Sequence, residues 1–291
     1  MDLFFQSILN GLIIGGIYAL TAIGLTLIFG FMELVNFAHG ELYMLGAYFT
    51  FTYVVRGHLS FWLGFPLALV TVFAIAYVID VLLLRPLRDQ DILIRMLTTI
   101  GLMLLFQNLA LLIWGPAPRQ VPSPFGHASL SLFGLHVSPL QLVIAVFAVL
   151  IIGAAHLFMQ HTRTGMAMRA TFQDREVAAA MGVRVNVFYG FTFAFGALLA
   201  AAGGGLLSMV FLISPTMGVL ATLKAFTVVI LGGLGSFLGA ITGGLIVGLS
   251  ESIAATFAWA DYKDATAFII LILILMVRPN GLFGKASGVE H

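Results

Sequence analysis

The sequence predicts an all-α, polytopic integral membrane protein of about eight transmembrane helices plus broken or re-entrant segments. Three observations predict it. Of 291 residues, 61% are hydrophobic and 9% charged, where a soluble domain carries about 25% charged residues. Too little polar side chain is therefore available to cover a water-facing surface. Long runs contain no Asp, Glu, Lys or Arg: Leu3–Met32, Gly57–Ile79, Met96–Pro118, Gln120–Thr162, Val185–Leu223 and Ala225–Ser250. These runs do not alternate apolar with polar residues, so helices and not barrel strands are expected.

The elements follow in order. A bilayer core of about 30 Å needs roughly 20 apolar residues of helix. Helices are expected near 5–30, 39–56, 61–84, 93–115, 138–160, 187–212, 236–258 and 265–279, with a shorter apolar piece at 222–233 before the seventh. The opening "MDLFFQSILNGLIIGG" lacks the basic start of a signal peptide and its apolar run is too long, so it reads as a retained span. All of 1–291 reads as one transmembrane domain.

Lys and Arg set the orientation. Of thirteen, three (Arg85, Arg88, Arg95) fall in one loop and four (Arg163, Arg169, Arg175, Arg184) in another. The loop between these two, 116–137, has only Arg119 and is rich in Pro, Ser and Gly. Both basic loops are therefore expected in the cytoplasm and 116–137 outside. Arg278 and Lys285 favour a cytoplasmic C-terminus. The side of the N-terminus depends on how two broken segments are counted.

The first broken segment is "GFMELVNFAHGELYMLGAY" (30–48) and the second "KAFTVVILGGLGSFLGAITGGLIVG" (224–248). Each follows a long charge-free helix. Irregular backbone at membrane depth must face protein or a water-filled cavity, and paired interruptions point to a transport pathway. Close helix packing through the glycines, as in "AAAGGGLLS", is the second reading, and both can hold. The pathway candidates are Asn36, His39 and Glu41 in the first break and Gly232, Gly233 and Gly235 in the second. The polar trio can instead cap the helix that follows it.

No catalytic constellation is present. "GLFGK" at 281–285 has the wrong spacing for a P-loop, and no zinc-protease pair or nucleophile elbow occurs. With a net charge of +1, no nucleic-acid partner is implied. No metal site is expected, and cysteine is absent. Ionisable residues at membrane depth are functional hypotheses by default. Beyond the trio these are Glu33, Asp80, His156, Lys224 and Glu251. Asp80 reads as paired near Arg85 and His156 as interfacial. Glu251 either pairs with Lys224 or reaches the interface.

One charged, alanine-rich stretch interrupts the apolar sequence: "ATFQDREVAAAMGVRV" (170–185). Ala170, Asp174, Ala178 and Gly182 recur every four residues, which on one helix forms a stripe of mostly small side chains. Asp174 and Glu176 suit the N-terminal part of that helix, and Gly182 is placed to end it. So short a helix docks on its own membrane domain or on a partner, unless it is a solvated loop.

The pattern A-x-x-x-D-x-x-x-A-x-x-x-G-V over 170–183 resembles the cytoplasmic coupling loop of ABC importer permeases. "LVNFAHGELYMLGAY", "LKAFTVVILGGLGSFLGAITGGLIVGLSESI" and "YKDATAFIILILILMVRPNGLFG" resemble the branched-chain amino acid ABC transporter permeases of the H type. The resemblance runs from the first helix to Gly284, and the 116–137 loop is the least family-like part. It implies a bacterial inner-membrane permease that forms half of a pathway for Leu, Ile and Val. The implied partners are a second homologous permease, two cytoplasmic ATPase subunits and a periplasmic substrate-binding protein. It also implies that ATP is bound and hydrolysed on the partners, with no cofactor on this chain. Ala170, Asp174, Arg175, Glu176, Ala178 and Gly182, within a 165–185 coupling loop, would then face the ATPase. Related importers are expected also for urea, amides, aromatic acids or other amino acids. An ion-coupled secondary transporter is the reading of a different class, and a membrane enzyme a third that lacks its catalytic residues.

Overall fold

The computed structural model describes residues 2–32, 34–125, 130–132, 135–257 and 262–284. Glu33, Lys285 and parts of the 116–137 loop lie outside the described residues. Eleven α-helices are present among those described: α1 (Asp2–Met32), α2 (His39–Phe51), α3 (Phe61–Ile79), α4 (Ile92–Trp114), α5 (Pro139–His161), α6 (Arg163–Gln173), α7 (Arg175–Ala180), α8 (Val185–Leu207), α9 (Met217–Gly232), α10 (Phe237–Phe257) and α11 (Lys263–Val277). A π-helical turn carries α2 on to Arg56, and π and 3₁₀ turns carry α3 on to Leu87. Six helices are long and apolar enough to cross a bilayer: α1, extended α3, α4, α5, α8 and α10. The protein is thus an all-α polytopic membrane protein.

The helix positions follow the charge-free runs closely, with two differences. The helix expected over 187–212 stops at Leu207. Ser208 turns the chain there by donating its hydroxyl to Gly205 O, and Ile213 then leaves to pair with Arg119 through two main-chain bonds of 2.7 and 3.0 Å. The 116–137 segment, expected as plain loop, contains a short antiparallel hairpin, β1 (Leu130–Leu132) with β2 (Leu135–Val137).

Two helices form the centre. Of their most apolar stretches, 67% of α1 and 61% of α8 is buried, against 28%, 22% and 17% for α3, α4 and α5. The peripheral three therefore present apolar faces outward, which water would not tolerate and lipid or a partner would. Small residues allow the central packing. Gly15 of α1 lies against Gly244 and Gly248 of α10, and Gly24 of α1 against Gly196 of α8. Gly46 of α2 meets the backbone of Ala201, and Gly204 of α8 the carbonyl of Tyr43. At each of these positions a Cβ would overlap main chain, so the packing reading of the glycine-rich stretches holds.

The connections fix which ends lie together. Gln141, at the start of α5, donates to Asn10 of α1 at 3.0 Å, and Ser252 of α10 donates to Ser7 O at 2.7 Å. The start of α1 therefore shares a face with the 116–137 loop. At the other face Phe172 of α6 lies near Gly30 and Gly235, beside both basic loops. The C-terminal strap reaches that face too, where Leu282 and Phe283 donate main-chain bonds of 2.9 Å to Leu231 and Gly232. The N- and C-terminal ends of the described chain thus lie on opposite faces.

Candidate transport cavity and coupling surface

A buried charge cluster lies between α1, α9, α10 and α11. Lys224 sits in the middle of α9, where a lone ammonium would be very costly unless paired. Its Nζ donates to Glu251 Oε2 of α10 at 2.9 Å, to Tyr18 Oη of α1 at 2.7 Å and to Asp264 Oδ1 of α11 at 2.8 Å. Tyr18 in turn donates to Glu251 Oε2 at 2.8 Å. Glu251 is 4% exposed and Asp264 42%, so the cluster runs from a dry end to an open one. It lines a cavity of about 500 Å³ whose other walls include Ile13, Ile14, Leu207 and Leu220. Asn10 and Gln141 also line it, which puts the cavity toward the face bearing the 116–137 loop.

Pairing of Lys224 with Glu251 was one of the two outcomes expected from the sequence. Tyr18 and Asp264 were not expected. Asp264 carried a weak signal, as an acid in the first turn of an apolar helix. Tyr18 carried none, because an aromatic in a charge-free helix reads as packing.

The pathway candidates lie elsewhere. Asn36, His39 and Glu41 are fully buried and none lines the cavity. Asn36 Oδ1 accepts from Ala38 N at 3.1 Å, and its carbonyl accepts from His39 N at 3.3 Å, forming the turn into α2. His39 Nε2 donates to Thr21 O at 2.9 Å, and Glu41 Oε1 accepts from Gln107 of α4 at 2.9 Å. The trio therefore anchors the inner end of α2 to α1 and α4. Gly232, Gly233 and Gly235 form the α9–α10 turn. Gly232 abuts Gly239, and Gly233 and Gly235 have φ of 101° and 80°, which side chains rarely adopt. This turn lies near Phe172 of α6, next to the charged segment and away from the cavity.

Asp80 is fully buried and paired, as expected, but chiefly with Arg88 at 2.9 Å and only at 3.9 Å with Arg85. Arg88 also donates to Asn186 Oδ1 at 2.9 Å and lies 4.3 Å from the Tyr189 ring centre. The end of α3 is thereby clamped to the start of α8, immediately after the charged segment. His156 is exposed, its ring 5.4 Å from that of Phe237.

The charged segment corrects one expectation. Residues 165–185 are not one helix, so Ala170, Asp174, Ala178 and Gly182 do not share one continuous stripe. The cause is Asp174. Its backbone is extended (φ −156°, ψ 112°), and its Oδ1 accepts from Glu176 N and Val177 N, each at 2.9 Å. An N-cap of this kind starts a new helix where a continuous one would leave the side chain free. The other details hold. Glu176 is in the first turn of α7. Gly182 ends it with φ 86°, its N–H reaching Ala179 O and that of Val183 reaching Ala178 O, each at 3.0 Å. Ala178 is buried against its own chain, and the outward side shows Val177 (58% exposed) and Met181 (81%). These two apolar residues, four apart, give little signal in the sequence because alanines dominate the local pattern.

Among the described residues no three His, Cys, Asp or Glu side chains converge as a metal site would require.

Comparisons with known proteins bear on the whole chain. The family model described as "Branched-chain amino acid transport system / permease component" matches residues 7–275. The "High-affinity branched-chain amino acid transport system permease protein LivH" of Escherichia coli K12 is 36% identical over 297 aligned positions, covering 97% of this chain and 96% of LivH. The BraD protein of Pseudomonas aeruginosa, with the same description, is 36% identical at the same coverage. A solved structure, "PsaBC from Streptococcus pneumoniae in complex with Fab", superposes with a TM-score of 0.55 at 16% identity, covering 95% of this chain and 92% of that one, which is a likeness of fold. A match of this extent, on a bundle that encloses a charged cavity, is decisive: the chain belongs to the family of branched-chain amino acid transport permeases.

Proposed function

We propose that this protein is the permease subunit of an ATP-driven importer of leucine, isoleucine and valine in a bacterial inner membrane, forming half of the translocation pathway. A second homologous permease supplies the other half. Two cytoplasmic ATPase subunits bind and hydrolyse ATP, and a periplasmic binding protein delivers the amino acid. On this reading the face with the basic loops is cytoplasmic, and the cavity opens toward the periplasmic side.

The observation that carries the reading is α7. It is a six-residue helix, capped at both ends, with its apolar outer side exposed, on the basic face of a chain that has no P-loop of its own. Few helices so short are stable without a surface to rest on, and two ordered caps with an apolar outer side suit a docking element. A conformational change needs a partner that binds two states differently, and nucleotide-dependent ATPases supply that bias. Asp174, Arg175, Glu176 and Gly182 are then the polar and turning parts of the contact, the exposed Ala170 of α6 adds a small side chain to the same surface, and the buried Ala178 sets the approach of α7 to the bundle. Asn36, His39 and Glu41 support the pathway wall from behind. Gly232, Gly233 and Gly235 let α9 and α10 follow the movement of α6.

The test is reconstitution of the full complex in liposomes. Leucine uptake should require ATP, both permeases and the ATPases. Asp174→Arg should leave membrane insertion intact and reduce ATPase association. Uptake by the purified chain alone, without ATP, would refute the assignment. Competition with urea, amides and aromatic acids separates the branched-chain reading from related importers.

A further inference from the structure

We propose that the cavity at Lys224 and Glu251 is a binding station for a free zwitterionic amino acid with an aliphatic side chain. The inference rests on the importer reading and adds to it the place where substrate is held and the feature by which it is chosen.

Size and lining come first. A volume of about 500 Å³ falls within the roughly 300–1,000 Å³ of small-molecule sites, which are mostly apolar with a few placed polar groups. Here Ile13, Ile14, Leu220 and Ala221 offer apolar surface, and Lys224 and Glu251 offer both signs of charge. The second observation is an orphan. Glu251 is 4% exposed, and its Oε1 has no hydrogen-bond partner among the described residues. Buried carboxylate oxygens normally have a donor, and a substrate ammonium would supply one.

The charges decide what fits. Lys224 is held by Glu251 and by Asp264, and Asp264 is the more exposed partner at 42%. Its bond to Lys224 is therefore the one water can most readily replace. Lys263 also lines the cavity, so two ammonium groups face two carboxylates there, and a zwitterion can enter with its carboxylate on Lys224 and its ammonium on Glu251 without upsetting that balance. With two cations and two anions in the lining, a monoanion would leave one carboxylate too many and a monocation one ammonium too many. An uncompensated buried charge is strongly unfavourable. The cavity should therefore reject a carboxylic acid or an amine of the same carbon skeleton, and it offers urea little.

The chain contains no cysteine, which makes the experiment clean. Ala221→Cys places a thiol on the cavity wall with a minimal change of volume. The variant is assembled with its second permease and ATPases in liposomes, without binding protein, and maleimide modification of this chain is followed by mass spectrometry. Leucine should slow modification at least about tenfold. The acid 4-methylpentanoate and the amine 3-methylbutylamine should not. Adding Lys224→Met with Glu251→Gln should abolish protection. Modification indifferent to saturating leucine, or protection retained in the charge-neutralised variant, would overturn the proposal. The first result needs only the alanine change, so it decides even if the neutralised variant fails to assemble. ATP-driven uptake by the same liposomes, with binding protein added, reads the importer assignment separately. Uptake without protection sinks the station and spares the importer, whereas protection without uptake of any branched-chain amino acid does the reverse.

Discussion

Glu251, Lys224 and Asp174 show how much a single side chain decides here. Glu251 and Lys224 are a buried pair 2.9 Å apart. Removing one partner leaves the other charged in a low-dielectric site. Lys224→Met, which strands the buried Glu251 whereas Glu251→Ala leaves Lys224 on Asp264, should therefore destabilise the protein by about 3–5 kcal/mol, measured as denaturant unfolding in detergent. The paired change Lys224→Met with Glu251→Gln should recover most of that loss, because neither charge is then stranded. Asp174 acts through two hydrogen bonds to main-chain N–H groups. Asp174→Ala should cost about 1 kcal/mol of local stability, seen as faster amide exchange at Glu176 and Val177, and should weaken ATPase pull-down. Asp174→Asn keeps the acceptor and should stay close to wild type in exchange.

At the scale of elements, helix contacts here depend on absent side chains. A Cβ on Gly46 would overlap the backbone of Ala201, and one on Gly204 the carbonyl of Tyr43. Gly46→Leu must push α2 off α8 and should cost about 1–3 kcal/mol or more, read as a lower midpoint in thermal unfolding. The requirement at Gly182 differs. Nothing lies within 4 Å of a Cβ there, yet its φ is 86°. Gly182→Val should cost about 1–2 kcal/mol from the left-handed backbone alone, loosening α7 with no effect on bundle packing. Gly182→Asn, which tolerates that conformation, should be milder. Both are compared by amide exchange of α7 and by ATPase association.

At the scale of the whole molecule the prediction concerns sidedness. Asn10 meets Gln141 at one face, and Phe172 meets Gly30 at the other. With the basic face cytoplasmic, the start of α1 lies outside. In this cysteine-free chain, single cysteines at Leu3 and at Leu59 should react with a membrane-impermeant maleimide in spheroplasts, and one at Arg163 should not. The opposite pattern would reverse the orientation, removing α7 from the side where an ATPase can reach it.

Span locations, helical class, the charged segment and the family pattern were legible in the sequence, because a bilayer demands long uncharged helices and charges stand out against them. Gly182 was legible as a helix end for the same local reason that makes glycine adopt positive φ. The split at Asp174 was less so, since an Asp four residues after an Ala fits both a helix stripe and a cap, and only the folded backbone selects one. The sequence also could not assign the buried polar residues to roles. Asn36, His39 and Glu41 are adjacent along the chain, yet they serve the packing of α2. Tyr18, Lys224, Glu251 and Asp264 come from four helices far apart in the chain and meet at one point. Which apolar helices cross, and at what register, is set by where glycines let backbones touch. That three-dimensional choice, and not the order of residues, gathers the four side chains around one cavity.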